Sequence, residues 1–265
     1  MKKKYIDTPN GSIHYYQGGP EHKAPIVLLH QNVSGAKMYE KTILASCEEF
    51  HCVAPDLPGF GGSFDPPEIK SISELTSYIH DFIKVLGYRQ YHTFGNHTGA
   101  GMAAELAAKY PNEVLSCTMI GALLLSQEEA IPFREEFSGS VGPSHDAKYL
   151  QATWDYIYNL GGDKDLDNMN DEFYGALRAW KIRGMIYKCV WDYTFQEFLD
   201  NLKCPVMLMC ATDDVLYLGH QNTAKYLKNA KVVDLVGANF EPYFDAKNIA
   251  KSMKEFFAEN KLEED

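Results

Sequence analysis

The chain has 265 residues, 45% of them hydrophobic, which suits one α/β domain with a large core and an insertion. A formal charge of −11 argues against nucleic acid or an anionic membrane as a main partner, since both need a basic surface. Lys2-Lys3-Lys4 runs into Tyr5-Ile6-Asp7 without an apolar stretch, so it does not read as a signal peptide. No run approaches the ~18 apolar residues of a spanning helix. The six cysteines show no C-x-x-C spacing and read as reduced core residues of a cytoplasmic protein.

In chain order, Ile26-Val27-Leu28-Leu29 is a continuous apolar run, as expected of a parallel strand covered on both faces. Met38 to Glu49 reads as a helix and His51-Cys52-Val53-Ala54 as the next strand. Ser71 and Glu74 form an S-x-x-E capping box, ahead of an apolar stripe of Ile72, Leu75, Ile79, Phe82 and Leu86 that Gly87 ends. Tyr91 to Phe94 is a short buried strand. A sharp turn, Gly95-Asn96-His97-Thr98-Gly99-Ala100, leads into a helix of small residues from Gly101 to Tyr110. Val114–Ile120, Val206–Met209 and Lys231–Leu235 read as further strands, and Asn248–Glu259 as a closing helix. Alternating strands and helices with short loops predict an α/β fold, a doubly wound and mostly parallel sheet.

Residues 126 to 198 break that alternation. Trp154, Trp180 and Trp191 all lie there, with Tyr149, Tyr156, Tyr158, Phe173, Tyr174, Tyr187 and Tyr193, and no strand pattern appears. The segment reads as a helical cap inserted into a core of residues 1–125 and 199–265, placed over the strand ends where open α/β sheets bind ligands. Most of these rings are expected to pack cap helices together. The remainder favour a small apolar or aromatic molecule as the partner. A homodimer stays open.

Strand, sharp turn and helix, with glycine two residues either side of the apex, is the setting of a nucleophile elbow. Four other landmarks accompany it: Leu29-His30-Gln31-Asn32; Asp56-Leu57-Pro58-Gly59-Phe60-Gly61-Gly62-Ser63; Ala211-Thr212-Asp213-Asp214; and Gly237-Ala238-Asn239-Phe240. In this order they resemble the α/β-hydrolase superfamily over nearly the whole chain, and the elbow with His at its apex is similar to a small subgroup of it. The resemblance implies the α/β-hydrolase fold. It puts the nucleophile position at His97, the acid at Asp214 with Asp213 as its competitor, and the usual base position at Asn239. It also implies a backbone oxyanion hole at Thr98 and at Asn32 or its neighbour Gln31.

Two of those three catalytic positions are altered. An asparagine takes no proton at neutral pH, and no histidine follows His220, so ordinary serine-type acyl transfer is excluded. An imidazole ordinarily titrates near ~6.5, so His97 is suited to act as a general base or to attack a carbonyl itself. The expected function is hydrolysis of a small, mostly apolar ester, lactone or ketone-like substrate. Non-hydrolytic lyase or decarboxylase chemistry, and a ligand-binding pseudoenzyme, are the alternatives. Asn32 is similar to the halide-holding asparagine of haloalkane dehalogenases, but those enzymes need a carboxylate at the apex. Asp163, Asp165 and Asp167 lack the Gly and Glu of a calcium loop and read as a solvated loop. No metal and no cofactor is expected.

Overall fold

The apolar runs become the middle of an eight-stranded sheet. The structure, a computed structural model, describes residues 1–137, 139 and 141–262. Strands β1 (Lys2–Thr8), β2 (Gly11–Gly18), β3 (Pro25–Leu29), β4 (His51–Pro55), β5 (Tyr91–Asn96), β6 (Val114–Ile120), β7 (Val206–Ala211) and β8 (Lys231–Leu235) lie in the order β1-β2-β4-β3-β5-β6-β7-β8. β2 pairs antiparallel with β1 and β4, and every other pairing is parallel. Every residue of β3, β4 and β5 is buried, because helices cover both faces.

One face packs against α2 (Ile72–Val85) and α3 (Thr98–Lys109), the other against α1 (Glu40–Ser46) and α11 (Ala246–Glu259). Ser71 caps α2 by accepting from the Glu74 N–H at 3.1 Å. The Glu74 carboxylate accepts from the N–H of Lys70 rather than that of Ser71, so the return arm of the box reaches one residue further out.

Strands β1 and β2 and helix α9 lie outside the sequence expectations. The Lys2-Lys3-Lys4 run is part of β1, an exposed edge strand whose lysines discourage pairing with another chain. A helix, α9 (Tyr217–Tyr226), also stands between β7 and β8. The 126–198 segment lies between β6 and β7 and holds α4 (Gln127–Phe137), α5 (Lys148–Asn159), α6 (Leu166–Arg178), α7 (Trp180–Trp191) and all but the last residue of α8 (Phe195–Leu199). Among the described residues no helix is long and apolar enough to cross a membrane. All six cysteines are free thiols, and burial raises that of Cys52 to about 12.

Candidate active site

The turn after β5 is held by backbone contact. A Cβ on Gly95 would stand 2.0 Å from the Gly99 carbonyl oxygen, and one on Gly99 would stand 2.0 Å from that of Leu29. Strand β5, helix α3 and strand β3 therefore meet where no side chain fits. Between the two glycines His97 adopts φ 49° and ψ −111°, a strained conformation for a residue with a side chain. Its N–H donates to the Ile120 carbonyl at 2.9 Å, and its own carbonyl accepts from Ala100 at 2.8 Å. Helix α3 begins at Thr98, three residues earlier than its run of small residues suggests. The Thr98 N–H thus lies in a first turn, where the helix supplies no carbonyl partner.

The His97 ring meets Asp214 across the sheet ends. Nε2 lies 2.7 Å from Asp214 Oδ2, and the other carboxylate oxygen accepts from the Leu216 N–H at 2.6 Å. With Asp214 ionised, Nε2 carries the shared proton and Nδ1 keeps its lone pair. Nδ1 has no hydrogen-bond partner among the described residues, and His97 lines a narrow cavity of about 40 Å³. The ring has room there because residue 121 is glycine. A Cβ on Gly121 would stand 2.3 Å from His97 Cδ2 and 2.7 Å from Nε2.

Asp213, the competing acid, points away: it bonds Lys164 at 3.0 Å and the Ala238 N–H at 3.2 Å. Asn239 lines the cavity but shares no hydrogen bond with His97 or Asp214 among the described residues. Its Oδ1 accepts from the Val215 N–H at 3.3 Å, and its Nδ2 donates to the Leu160 carbonyl at 2.8 Å, tying the sheet ends to the inserted helices. Gln31 donates to the Asn239 carbonyl and to Ser34 Oγ, both at 3.1 Å. Asn32 donates from Nδ2 to the Arg183 carbonyl at 3.2 Å, while its Oδ1 is buried without a partner among the described residues. His30 braces this loop, with Nδ1 on the Gln31 carbonyl at 2.8 Å and Nε2 accepting from the Leu57 N–H at 2.9 Å. Asp165 caps α6 through the N–H groups of Asp167 and Asn168.

Aromatic side chains from the insertion complete the cavity. Of the ten rings the sequence singles out, Tyr156, Tyr187 and Trp191 line it, joined by Phe133 and Phe137. The hydroxyls of Tyr156 and Tyr187 bond one another, and the Arg183 guanidinium lies 4.1 Å from the centre of the Tyr156 ring.

Two buried acids beside the site carry no signal in the sequence. Glu172, on α6, accepts from Ser34 Oγ at 2.5 Å, and burial pushes its carboxyl up to about 7. A raised folded-state value means that the unfolded chain loses its proton first as pH rises. Its stabilising contribution is therefore complete below the ordinary value of 4.5 and is lost between there and about pH 7. Glu172→Gln should remove this pH-dependent loss, on the order of 3 kcal/mol. Urea titrations at pH 5 and pH 8 would show it, and equal pH sensitivity in both proteins would refute it. The second acid, Glu241, begins α10 (Glu241–Phe244) and lies behind Asp214.

A family model described as the alpha/beta hydrolase fold matches residues 24–158. Haloalkane dehalogenase 2 of Mycobacterium tuberculosis is 32% identical over 115 residues, 43% of this chain and 40% of the dehalogenase. The chain thus matches about two fifths of the length of that relative. An uncharacterized hydrolase of Saccharomyces cerevisiae is 24% identical over 93% of both chains. The enol-lactonase from Burkholderia xenovorans LB400 superposes with a TM-score of 0.80 at 17% identity, covering 96% of this chain and 100% of the lactonase. Fold, strand order and the family match agree: the chain belongs to the α/β-hydrolase fold family.

Proposed function

We propose that the protein is a hydrolase of small, mostly apolar esters or lactones, with a His97–Asp214 dyad in place of the family's serine-centred triad. The observation that carries this reading is the division of labour on one imidazole. Nε2 is committed to Asp214 at 2.7 Å, while Nδ1 is free of hydrogen bonds among the described residues on a ring that lines the cavity. Asp214 fixes the tautomer and stabilises positive charge on the ring, the service an aspartate gives to a triad histidine. Nδ1 then takes a proton from water, or attacks the carbonyl carbon to give an acyl-imidazole that water cleaves. The Thr98 N–H, with a backbone N–H of Gln31 or Asn32, stabilises the developing oxyanion.

Asn239 serves as a polar anchor for the inserted helices. The aromatic wall favours an apolar or aromatic acyl or alcohol group. The dehalogenase relative does not transfer its reaction here, because displacing a halide in that way requires an apex carboxylate and His97 offers an imidazole. The six free thiols support a reducing, cytoplasmic setting.

The test is intact-protein mass spectrometry during turnover of a short-chain p-nitrophenyl ester, with His97→Ala alongside. A burst with a transient acyl adduct, absent from His97→Ala, identifies His97 as nucleophile. Steady release without an adduct, lost in the variant, identifies it as general base. Release that His97→Ala leaves unchanged, or no release from either protein, overturns the proposal and favours lyase chemistry or ligand binding.

A further inference from the structure

Glu241 is fully buried, and no ion pair reaches it among the described residues. The backbone beside it is held by α1, where Thr42 Oγ1 donates to the neighbouring Pro242 carbonyl at 2.7 Å. One carboxyl oxygen, Oε1, accepts from the Ala211 N–H at the end of β7 at 3.1 Å, while Oε2 has no partner among the described residues. The Glu241 carboxyl, the Asp214 carboxylate and Cys210 Sγ have polar atoms within 4.8 Å of one another. Two ionised carboxylates this close, with no cation but an imidazolium to balance them, would place a net negative charge in a desolvated pocket. A single proton resolves both the repulsion and the orphaned oxygen.

We propose that Glu241 is a positioning residue: its neutral carboxyl donates from Oε2 to the Asp214 carboxylate, so that the two acids present one negative charge to His97. The inference rests on the dyad reading above for its catalytic consequence, though not for its chemistry. Burial first, and the charge of Asp214 second, hold the Glu241 proton well above the ordinary carboxyl range. The other groups near this pair do not compete for the role. The Cys210 thiol is raised by burial, and the Tyr39 hydroxyl donates to the Leu29 carbonyl at 2.7 Å. His220, on α9 beyond Asp214, is lowered by burial and so favours its neutral form, and Asp213 is engaged by Lys164. A donor on Asp214 draws part of its negative charge away from His97, which tempers the dyad without adding a second charge.

Two variants and one spectrum test this. Glu241→Gln keeps a hydrogen donor and the absence of charge, whereas Glu241→Leu keeps only the bulk. The infrared spectrum of the intact protein should contain a protonated-carboxyl C=O band that disappears in Glu241→Gln. The ¹⁵N NMR titration midpoint of His97 should be the same in the parent protein and Glu241→Gln, and higher by about half a unit to one unit in Glu241→Leu. The acidic limb of the pH–rate profile should move with it. The absence of the band overturns the proposal. So does a lower His97 midpoint in Glu241→Gln, which would mean that a negative charge had been removed. A stoichiometric metal ion on Cys210, Asp214 and Glu241 in the purified protein overturns it as well. If Glu241→Leu does not fold, the band and Glu241→Gln still decide. Neither spectroscopic readout requires turnover, so a protein inactive on esters that shows both results would refute the function above and leave this inference standing.

Discussion

Asp214→Asn should cost about 10³- to 10⁴-fold in kcat while leaving the fold in place. The loss follows from a hydrogen-bond constraint. Asp214 Oδ1 accepts from the Leu216 N–H at 2.6 Å and Oδ2 faces His97 Nε2 at 2.7 Å. An asparagine must keep its carbonyl oxygen on the Leu216 N–H, because its NH₂ group would otherwise confront another donor. The NH₂ group then points at His97 and forces Nε2 to accept, which moves the ring proton to Nδ1. Nδ1 becomes a donor, unable to take a proton or to attack. Steady-state kinetics on a short-chain ester, with circular dichroism as the fold control, would check this. Activity within tenfold of the parent protein would refute the dyad.

The second large effect is expected from a position that bears no functional group. Gly121→Ala places a methyl 2.3 Å from His97 Cδ2 and 2.7 Å from Nε2, so the ring must swing away from Asp214. A misplacement of about 1 Å in a catalytic group costs on the order of 10²-fold, and kcat/KM should fall by at least that much. The backbone adds strain of about 1 kcal/mol, because residue 121 has φ 58°. Gly87→Ala supplies the control. Gly87 has φ 80° but nothing within 4 Å of its would-be Cβ, so that variant should lose comparable stability and keep full activity. Measuring melting temperature and kcat/KM on both separates backbone strain from displacement of His97. Equal activities in the two variants would sink the argument.

The parallel strands, the Ser71 cap and the glycine-flanked turn were legible in the sequence because each depends on residues within a few positions of one another. The edge strand β1 was not, since Lys2-Lys3-Lys4 suppresses the apolar alternation that marks a strand. Helix α9 escaped for a related reason: Gly219, His220, Gln221 and Asn222 interrupt its apolar face. The site divides in the same way. His97 and Asp214 are conspicuous one by one, but their bond joins residues 117 positions apart, and only the folded chain shows that the aspartate reaches the apex rather than Asn239. Motif order leads to Asn239 as the base position, whereas its amide is occupied by Leu160 and Val215. Glu172 and Glu241 look like any surface acids in the sequence. Their burial follows from where α6 and α10 are docked, which no local pattern encodes.

The glycine contacts around residue 97 bear on how such a scaffold changes its chemistry over evolutionary time. The direction in which the apex side chain points is dictated by backbone packed against backbone at Gly95, Gly99 and Leu29, none of which depends on what residue 97 is. Replacing that residue therefore swaps the reactive group and keeps its aim. A lineage can pass from one reagent to another by a single codon change, provided the new side chain tolerates φ near 49° and finds a partner already in reach. Under the dyad proposed above, the acid after β7 is that partner, 2.7 Å from the ring, and no separate histidine after β8 is needed.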